Sequence, residues 1–384
     1  MKIAVYAIAK NEAKFVERFI NSARDADCIL IADTGSADGT PDKARELGAT
    51  VYEICVSPWR FDVARNTALA LVPADIDVCV SIDIDEVLEP GWREEVERVW
   101  EPGKTTLLRY VYDWGKGLVF EYEKIHARHG YYWKHPVHEV VVPDQRTKEV
   151  KAYTNKLLVR HLPDPSKSRA QYLDLLALSV KEDPNDPRNA FYYARELTYW
   201  SRWDEAVVAL KRYLSLPAAT WSVERAYAMR LLGQAYEHLG QPETALSWYR
   251  RACAEAPHVR DPWVDLADAC YKLSRWAECF AAAHTALQIT TRNMDYTVNP
   301  RSWGYLPHDM LALAAYHLNH PAVAIEHGKK ALELAPDDDR LKRNLEFYEL
   351  ANKKLLDANF RDMFAAQRER LKLRRRECNA EVRQ

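Results

Sequence analysis

The chain changes its hydrophobic period once, near residue 165, and that change constrains the fold more than any single motif. Before it, apolar runs of strand length alternate with amphipathic stretches. Lys2–Ile8, Cys28–Ala32, Thr50–Cys55 and Val78–Ile82 read as strands. Glu12–Arg24, Val63–Leu71 and Trp92–Trp100 read as helices. A further helix starts at Thr40-Pro41, where Thr caps and Pro occupies the first turn. Such alternation implies an α/β domain with a mostly parallel sheet and helices on both faces. Thr105–Tyr112, Leu118–Ile125 and Val137–Val142 are expected to add antiparallel strands.

After residue 165 the strand signal stops, and helices rich in Ala, Leu, Tyr and Trp repeat. Ala245, Ala252 and Pro257 recur 79 residues on as Ala324, Ala331 and Pro336, and Cys279 and Ala286 follow Ala245 and Ala252 by 34 residues. With Gly233 and Tyr236, these positions resemble the tetratricopeptide (TPR) repeat, a 34-residue helix-turn-helix unit. An earlier unit surrounds Phe191–Ala194 and Trp203–Leu214. Units of this kind cannot bury their faces alone and stack into a solenoid with a concave binding side. The 79-residue offset is two repeats and 11 residues, and the surplus falls in Gln288–Pro307, with Tyr296, Asn299, Trp303 and Tyr305. This segment is either a long surface turn or a loop that reaches a substrate site. The expected division is 1–162 for the α/β domain, 163–350 for the repeats and 351–384 for a charged tail. That tail, with Arg374-Arg-Arg376, reads as a solvated end helix, or alternatively as a patch for an acidic partner.

A net charge of −2 gives no global attraction to nucleic acid or to an anionic membrane. The N-terminus reads as a first strand rather than a signal peptide, and no apolar run reaches membrane-span length. Seven dispersed cysteines without zinc spacing suggest reduced core thiols and a cytoplasmic protein.

The chemistry gathers at predicted strand ends, where open α/β sheets bind ligands. The first strand leads into Ala9-Lys10-Asn11-Glu12, which either caps a helix or cradles a base or ribose. The second ends in Asp33-Thr-Gly35-Ser36-Ala-Asp38-Gly39, whose small residues let the backbone approach a ligand. Arg65 and Asn66 lie inside a helix, and an Arg there suits phosphate. The fourth strand ends in Asp83-Ile84-Asp85-Glu86, where two carboxylates one residue apart can share a strand face. A hard divalent cation takes such oxygens and bridges them to phosphate. Last comes Trp133-Lys-His-Pro136-Val-His138-Glu139. An imidazole can complete a metal site and a carboxylate can be a general base, but both act together only if the backbone is irregular there. His126, Arg128 and His161 read as mostly structural or as supporting the site from behind its direct ligands. No G-x-G-x-x-G follows the first strand and no P-loop is present, which argues against dinucleotide and P-loop enzymes.

In order and spacing these stretches resemble the family-two glycosyltransferases of the GT-A fold, a Rossmann-like α/β domain, over residues 1–160. The fused repeats resemble a subgroup that carries them behind the catalytic domain. The resemblance implies inverting transfer from a nucleotide-diphosphate sugar, a UDP-sugar by preference, to a large acceptor. It assigns donor binding to Ala9, Asn11, Glu12, Asp33, Gly35, Ser36, Arg65, Asn66, Asp83 and Ile84. It assigns Mn²⁺ or Mg²⁺ to Asp85, with Asp83 and His138. The general base is Glu139 or Asp113, since no clean Glu-Asp pair stands between residues 90 and 135. The acceptor stays open among peptide, protein, glycan and modified nucleic acid, including hydroxymethylated DNA bases. The other classes weighed are a peptide-binding TPR scaffold with an inactive transferase-like domain, and a nucleotidyltransferase. The missing glycine in Ala7–Glu12 speaks against the latter.

Overall fold

The computed structural model describes residues 1–164, 167 and 170–381. Its N-terminal part runs β1 (Ile3–Ala9), α1 (Val16–Ser22), β2 (Cys28–Asp33), α2 (Thr40–Glu46), β3 (Thr50–Glu53), α3 (Phe61–Leu71) and β4 (Val78–Ser81). Then follow β5 (Glu86–Leu88), α4 (Trp92–Val99), β6 (Leu107–Gly115), β7 (Leu118–Ala127), β8 (Tyr131–Lys134), β9 (Val140–Pro143) and β10 (Lys151–His161). Eight strands form one sheet in the order β3-β2-β1-β4-β7-β6-β10-β5, and β8 and β9 pair separately. β1, β2, β3 and β4 are mutually parallel where they pair, as are β6 and β10. β7 is antiparallel to both its neighbours, and β5 to β10.

The near-continuous apolar runs of β1, β2 and β4 follow from burial on both faces. Alternate residues divide between two cores. Ile3, Val5, Ala7, Val78 and Val80 pack with Val16, Phe19 and Ile20 of α1 and with Trp92 and Val96 of α4. Ala4, Tyr6, Leu30 and Cys79 pack with Ala68 and Leu69 of α3 and with Tyr131 and Trp133 of β8. Helices therefore cover both faces, as the alternation predicts. α1 is shorter than the Glu12–Arg24 expected, because Glu12 to Phe15 form a turn. Val137–Glu139 are loop rather than strand; the strand there begins at Val140.

Helices take over at Ala170. α5 (Ala170–Glu182), α6 (Pro187–Tyr199), α7 (Trp203–Ser215) and α8 (Ser222–His238) are followed by α9 (Pro242–Glu255), α10 (Arg260–Lys272) and α11 (Trp276–Gln288). A 3-10 turn at Pro300–Trp303 leads to α12 (Leu306–His317), α13 (Pro321–Leu334) and α14 (Asp339–Glu381). The tight turns after α6, α8, α10 and α12 each contain a left-handed residue, Ser201, Gly240, Ser274 and Asn319. The Ser-Arg-Trp of residues 201–203 returns at 274–276, and each Trp stacks on a His: Trp203 on His238 and Trp276 on His317, at 4.1 and 3.8 Å. Ala245, Ala252, Cys279, Ala286, Ala324 and Ala331 are all buried, which is why small residues recur at those positions.

By packing, the chain divides into two compact units. One comprises Met1–Gln241 with Asn293–Pro300, the other Pro242–Arg292 with Arg301–Gln384. The surplus segment is thus itself divided, and its middle part, Asn293–Pro300 with Tyr296, packs in the unit that holds the sheet. In the second unit Arg260 caps Ile289 O at 2.9 Å and lies 3.9 Å from the Trp303 ring centroid. Gly328 brings α13 close to α14, because a Cβ there would stand 3.2 Å from the Tyr348 ring. Among the described residues no helix is long and apolar enough to cross a membrane. Arg374–Arg376 lie on α14, but their side chains are outside those described, as are residues 382–384.

Candidate active site

The strand ends of β1, β2 and β4 place the expected loops side by side. Asp33 ends β2, opposite Ala9 of β1. Its carboxylate accepts from the N–H groups of Gly35 and Ser36 at 3.0 and 2.9 Å and from Ser36 Oγ at 2.5 Å. Gly35 makes that turn at φ 95°, a conformation that favours glycine. Asn11, itself left-handed, donates its N–H to Ser36 Oγ at 2.8 Å, and its Oδ1 accepts from Ala37 N at 2.8 Å. Ala9 O holds Thr34. Glu12 N–H donates to Thr40 Oγ1 at 2.7 Å, and the carboxylate pairs with Lys167. Burial pushes Glu12 up despite that partner. The two loops are thus tied into one polar turn, built largely from backbone N–H groups.

β4 ends at Ser81, and a turn follows in which Glu86 N–H donates to Asp83 O at 2.9 Å. The shared-face expectation for Asp83 and Asp85 therefore does not apply, and the two carboxylates meet different partners. Asp83 binds Arg65 Nη2 at 2.5 Å and Lys124 Nζ at 3.1 Å. Burial pushes Asp83 up, but Arg65 and then Lys124 outweigh it and hold the carboxyl well below the usual carboxylate range. Lys124 also reaches Glu86 at 3.2 Å, and Glu86 accepts from Tyr112 Oη at 2.6 Å. Burial drives Glu86 up and exceeds the opposite pull of Lys124. Asp85 stands beside His161 instead, 3.6 Å from its Nε2. Burial pulls His161 down, but the Asp85 carboxylate, with Glu86 and Asp83 behind it, outweighs burial and raises it. Ile84, between the aspartates, is buried.

Arg65 is the hub. It is 4% exposed, bridges Asp83 and Glu139, and lies 5.0 Å from the Trp133 ring centroid. Next to it Asn66 clamps the Trp133 backbone, donating to its O and accepting from its N, both at 2.8 Å. This helix therefore fixes the chain entering 135–139. His135 and His138 are left-handed there (φ 84° and 51°), and this irregular backbone sends His138 and Glu139 to different partners. Phe61 N–H donates to Pro136 O at 2.9 Å. Glu139 turns to Arg65, while the His138 ring stacks on Tyr192 of α6 at 4.4 Å. Asp113, at the end of β6, accepts from Gly115 N at 2.9 Å and from Arg160 at 3.3 Å.

The structure thus brings Asn11 with Ser36 and Asp33, and Arg65 with Asp83 and Glu139. It sets His138 against α6, and His161 rather than His138 is the imidazole found at Asp85. Lys124 is the residue that sequence reasoning passed over, while His161, expected to be mostly structural or supporting, stands directly beside Asp85. Lys124 had a signal, since it shares the strand face of Phe120 and Tyr122 and is itself buried. A groove of about 370 Å³ between α6 and α7, lined by Tyr193, Leu197 and Val208, contains none of these residues.

Set beside known proteins, this arrangement of strand ends and loops has a counterpart. Residues 5–158 match the model of glycosyl transferase family 2, and residues 228–269 that of a tetratricopeptide repeat. Residues 5–158 form a family 2 glycosyl transferase domain. An uncharacterized glycosyltransferase of Rickettsia bellii is 35% identical over 100 residues, 26% of this chain and 33% of that protein. One of Rickettsia felis is 33% identical over 100 residues, 26% of this chain and 34% of that one. This chain therefore spans about a third of the length of these relatives. A TPR repeat-containing protein of Synechococcus elongatus is 31% identical over 104 residues, 26% of this chain and 25% of that protein. Among solved structures, that of MamA covers 44% of this chain and 83% of its own, at 18% identity and a TM-score of 0.35.

Proposed function

We propose that the protein transfers a sugar, with inversion, from a nucleotide-diphosphate sugar to an acceptor gathered by its helical repeats. The observation that carries this reading is the division of labour at the end of β4. Asp83 is committed to Arg65 and Lys124, whereas among the described residues Asp85 faces His161 and no cationic side chain of Lys or Arg.

A divalent cation of the Mn²⁺ or Mg²⁺ kind fits this pair. Such ions take one or two protein ligands and complete their shell with substrate phosphate and water. Asp85 would supply an oxygen and His161 a nitrogen to such an ion, and the buried His161 Nδ1 has no hydrogen-bond partner that would compete for the ring. Among the described residues no three acidic, His or Cys side chains gather into a closed metal cage. A site that leaves positions for a diphosphate is what this chemistry needs. When bound, the cation neutralises charge on the leaving nucleoside diphosphate. The Asn11–Ser36–Asp33 turn is assigned to the base and ribose of a UDP-type donor. Arg65 and Lys124 keep Asp83 ionised and hold the floor of the site rigid. Glu139, held by Arg65 beside Asp83, is assigned to take the acceptor's proton, with Asp113 as the second candidate.

The test is donor hydrolysis by Asp85→Ala with UDP-sugars and Mn²⁺. Metal-dependent turnover should fall by at least about a hundredfold, the order expected when a charge-stabilising group at the reacting centre is lost. Circular dichroism should be unchanged. Wild-type turnover in that variant would sink the assignment.

A further inference from the structure

Tyr296, from the segment that interrupts the repeats, packs against α6 and α8 and closes an unusual cluster. On α6, Arg188, Tyr192, Arg195 and Tyr199 follow at spacings of four, three and four, and so share one face. The guanidinium carbons of Arg188 and Arg195 lie 4.7 and 4.4 Å from the Tyr192 ring centroid. Arg195 is also 5.8 Å from the Tyr296 ring. Tyr192 and Tyr296 are nearly parallel, 5.8 Å apart, and the Tyr192 ring also stacks on His138. Tyr199 and Trp221 stand exposed at the edge.

The charges in this cluster do not balance. Among the described residues neither arginine has a carboxylate within ion-pair distance, and the Nε of each is buried without a hydrogen-bond partner. The one polar contact of Arg188 is the His138 carbonyl, at 3.2 Å. The neighbouring acid, Glu224, is taken by the hydroxyls of Tyr213 and Tyr296. Both arginines are half-buried, and rings offset only part of what it costs to take the shielded part of a guanidinium from water. A doubly donating anion offsets more, because charge-assisted hydrogen bonds are roughly twice as strong as neutral ones.

We infer that Arg188 and Arg195, walled by Tyr192 and Tyr296, seat an anionic group (phosphate or carboxylate) borne by a ring-containing acceptor. The place fits an acceptor. The cluster reaches His138, whose neighbour Glu139 is held by Arg65 next to Asp83. The acceptor role rests on the transferase reading, while the anion seat stands on the geometry alone.

Calorimetric titration of the full chain with phenylphosphonate, benzoate and benzyl alcohol tests the seat, with UDP titrated in parallel. Phenylphosphonate should bind about tenfold or more tighter than benzyl alcohol, the scale of one charged hydrogen bond. Arg195→Gln and Arg188→Gln should each remove that preference and leave UDP binding unchanged. Benzoate matching phenylphosphonate assigns the seat to carboxylates, and phosphonate alone assigns it to phosphate esters; both support it. Equal binding of the neutral and anionic probes by the wild-type protein overturns the proposal. So does anion binding that survives either substitution, so one folded variant suffices. If UDP displaces phenylphosphonate and Arg195→Gln loses UDP, the arginines belong to the donor and the acceptor assignment falls. Wild-type protein that binds phenylphosphonate but neither UDP nor any other common nucleoside diphosphate supports the seat and overturns the transferase reading instead.

Discussion

Replacing Arg65 with Met removes the side chain on which the floor of the site converges. The guanidinium is 4% exposed and meets Asp83 on one side and Glu139 on the other. Breaking a buried pair by deleting one partner costs about 3–5 kcal/mol, because the remaining charge stays buried. Two features move the expected value to the lower end. Asp83 keeps Lys124, and its side chain is 34% exposed, so water softens its loss. Among the described residues Glu139 has no such second cation, and its side chain is 10% exposed. Loss of the contact over Trp133 adds about 0.5–1 kcal/mol. The sum is about 3.5–4 kcal/mol. For a unit of this size that lowers Tm by about 7–16 °C. Thermal unfolding followed by circular dichroism reads it, and the double variant Arg65→Met/Glu139→Gln sharpens it. Most of the cost comes from a carboxylate left without its cation. The neutral amide should therefore restore part of the loss, with a coupling of about 1–3 kcal/mol. An Arg65→Met protein that melts with the wild type would refute the argument. So would a double variant in which the two costs simply add.

Three further outcomes are expected. His126 is fully buried; its Nε2 accepts from Tyr6 Oη, which accepts from Trp133 Nε1, and its Nδ1 donates to Ala127 O. Burial lowers it to about 4. The unfolded chain then binds the extra proton first, so about 3 kcal/mol of stability present above pH ~6.5 is lost as pH falls toward 4. Urea unfolding across that range should show the slope, and His126→Gln should flatten it. Gly328→Ala, inside α13, places a Cβ 3.2 Å from the Tyr348 ring. An overpacking cost of about 1–3 kcal/mol, less about 1 kcal/mol of helix propensity gained, leaves a net loss of up to about 2 kcal/mol in the second unit, seen as an earlier melt. Tyr296→Phe leaves Glu224 with Tyr213 as its hydroxyl partner, at about 1–2 kcal/mol, and should hasten protease cleavage within 293–300.

The parts of the fold legible in sequence are those whose burial is symmetric. β1, β2 and β4 lie between two cores, so they read as apolar runs whatever their register. β10 escapes that reading. Its polar residues outnumber its buried ones, Leu157 and Val159 among them, and its register with β6 shifts between Tyr153 and Leu158. Without β10 the sequence cannot show that His161 pairs opposite Glu86 of β5, and so comes beside Asp85. The irregular backbone at His138 was foreshadowed by Pro136, but not its direction. That His138 turns to Tyr192 depends on how α6 packs, a contact 54 residues away in sequence. Segment 288–307 was visible as a break in the repeat. Only the structure divides it, with Tyr296 on Glu224 and Trp303 on Arg260.

The two aspartates of the acidic turn also show why a short motif underdetermines chemistry. Had β4 continued, residues 83 and 85 would share a face and a single environment. The strand stops at Ser81 instead, and the turn separates them. Asp83 then falls among Arg65 and Lys124, which fix its charge and leave it little freedom to take another cation. Asp85 falls beside an imidazole, a group that can give up its proton where a guanidinium cannot. The difference arises from the elements around the motif: α3 brings Arg65, β7 brings Lys124 and β10 brings His161. An ionised acid already matched by two cations suits a rigid floor. On the proposed function, the acid paired with a titratable nitrogen is the one that would take an incoming cation and diphosphate.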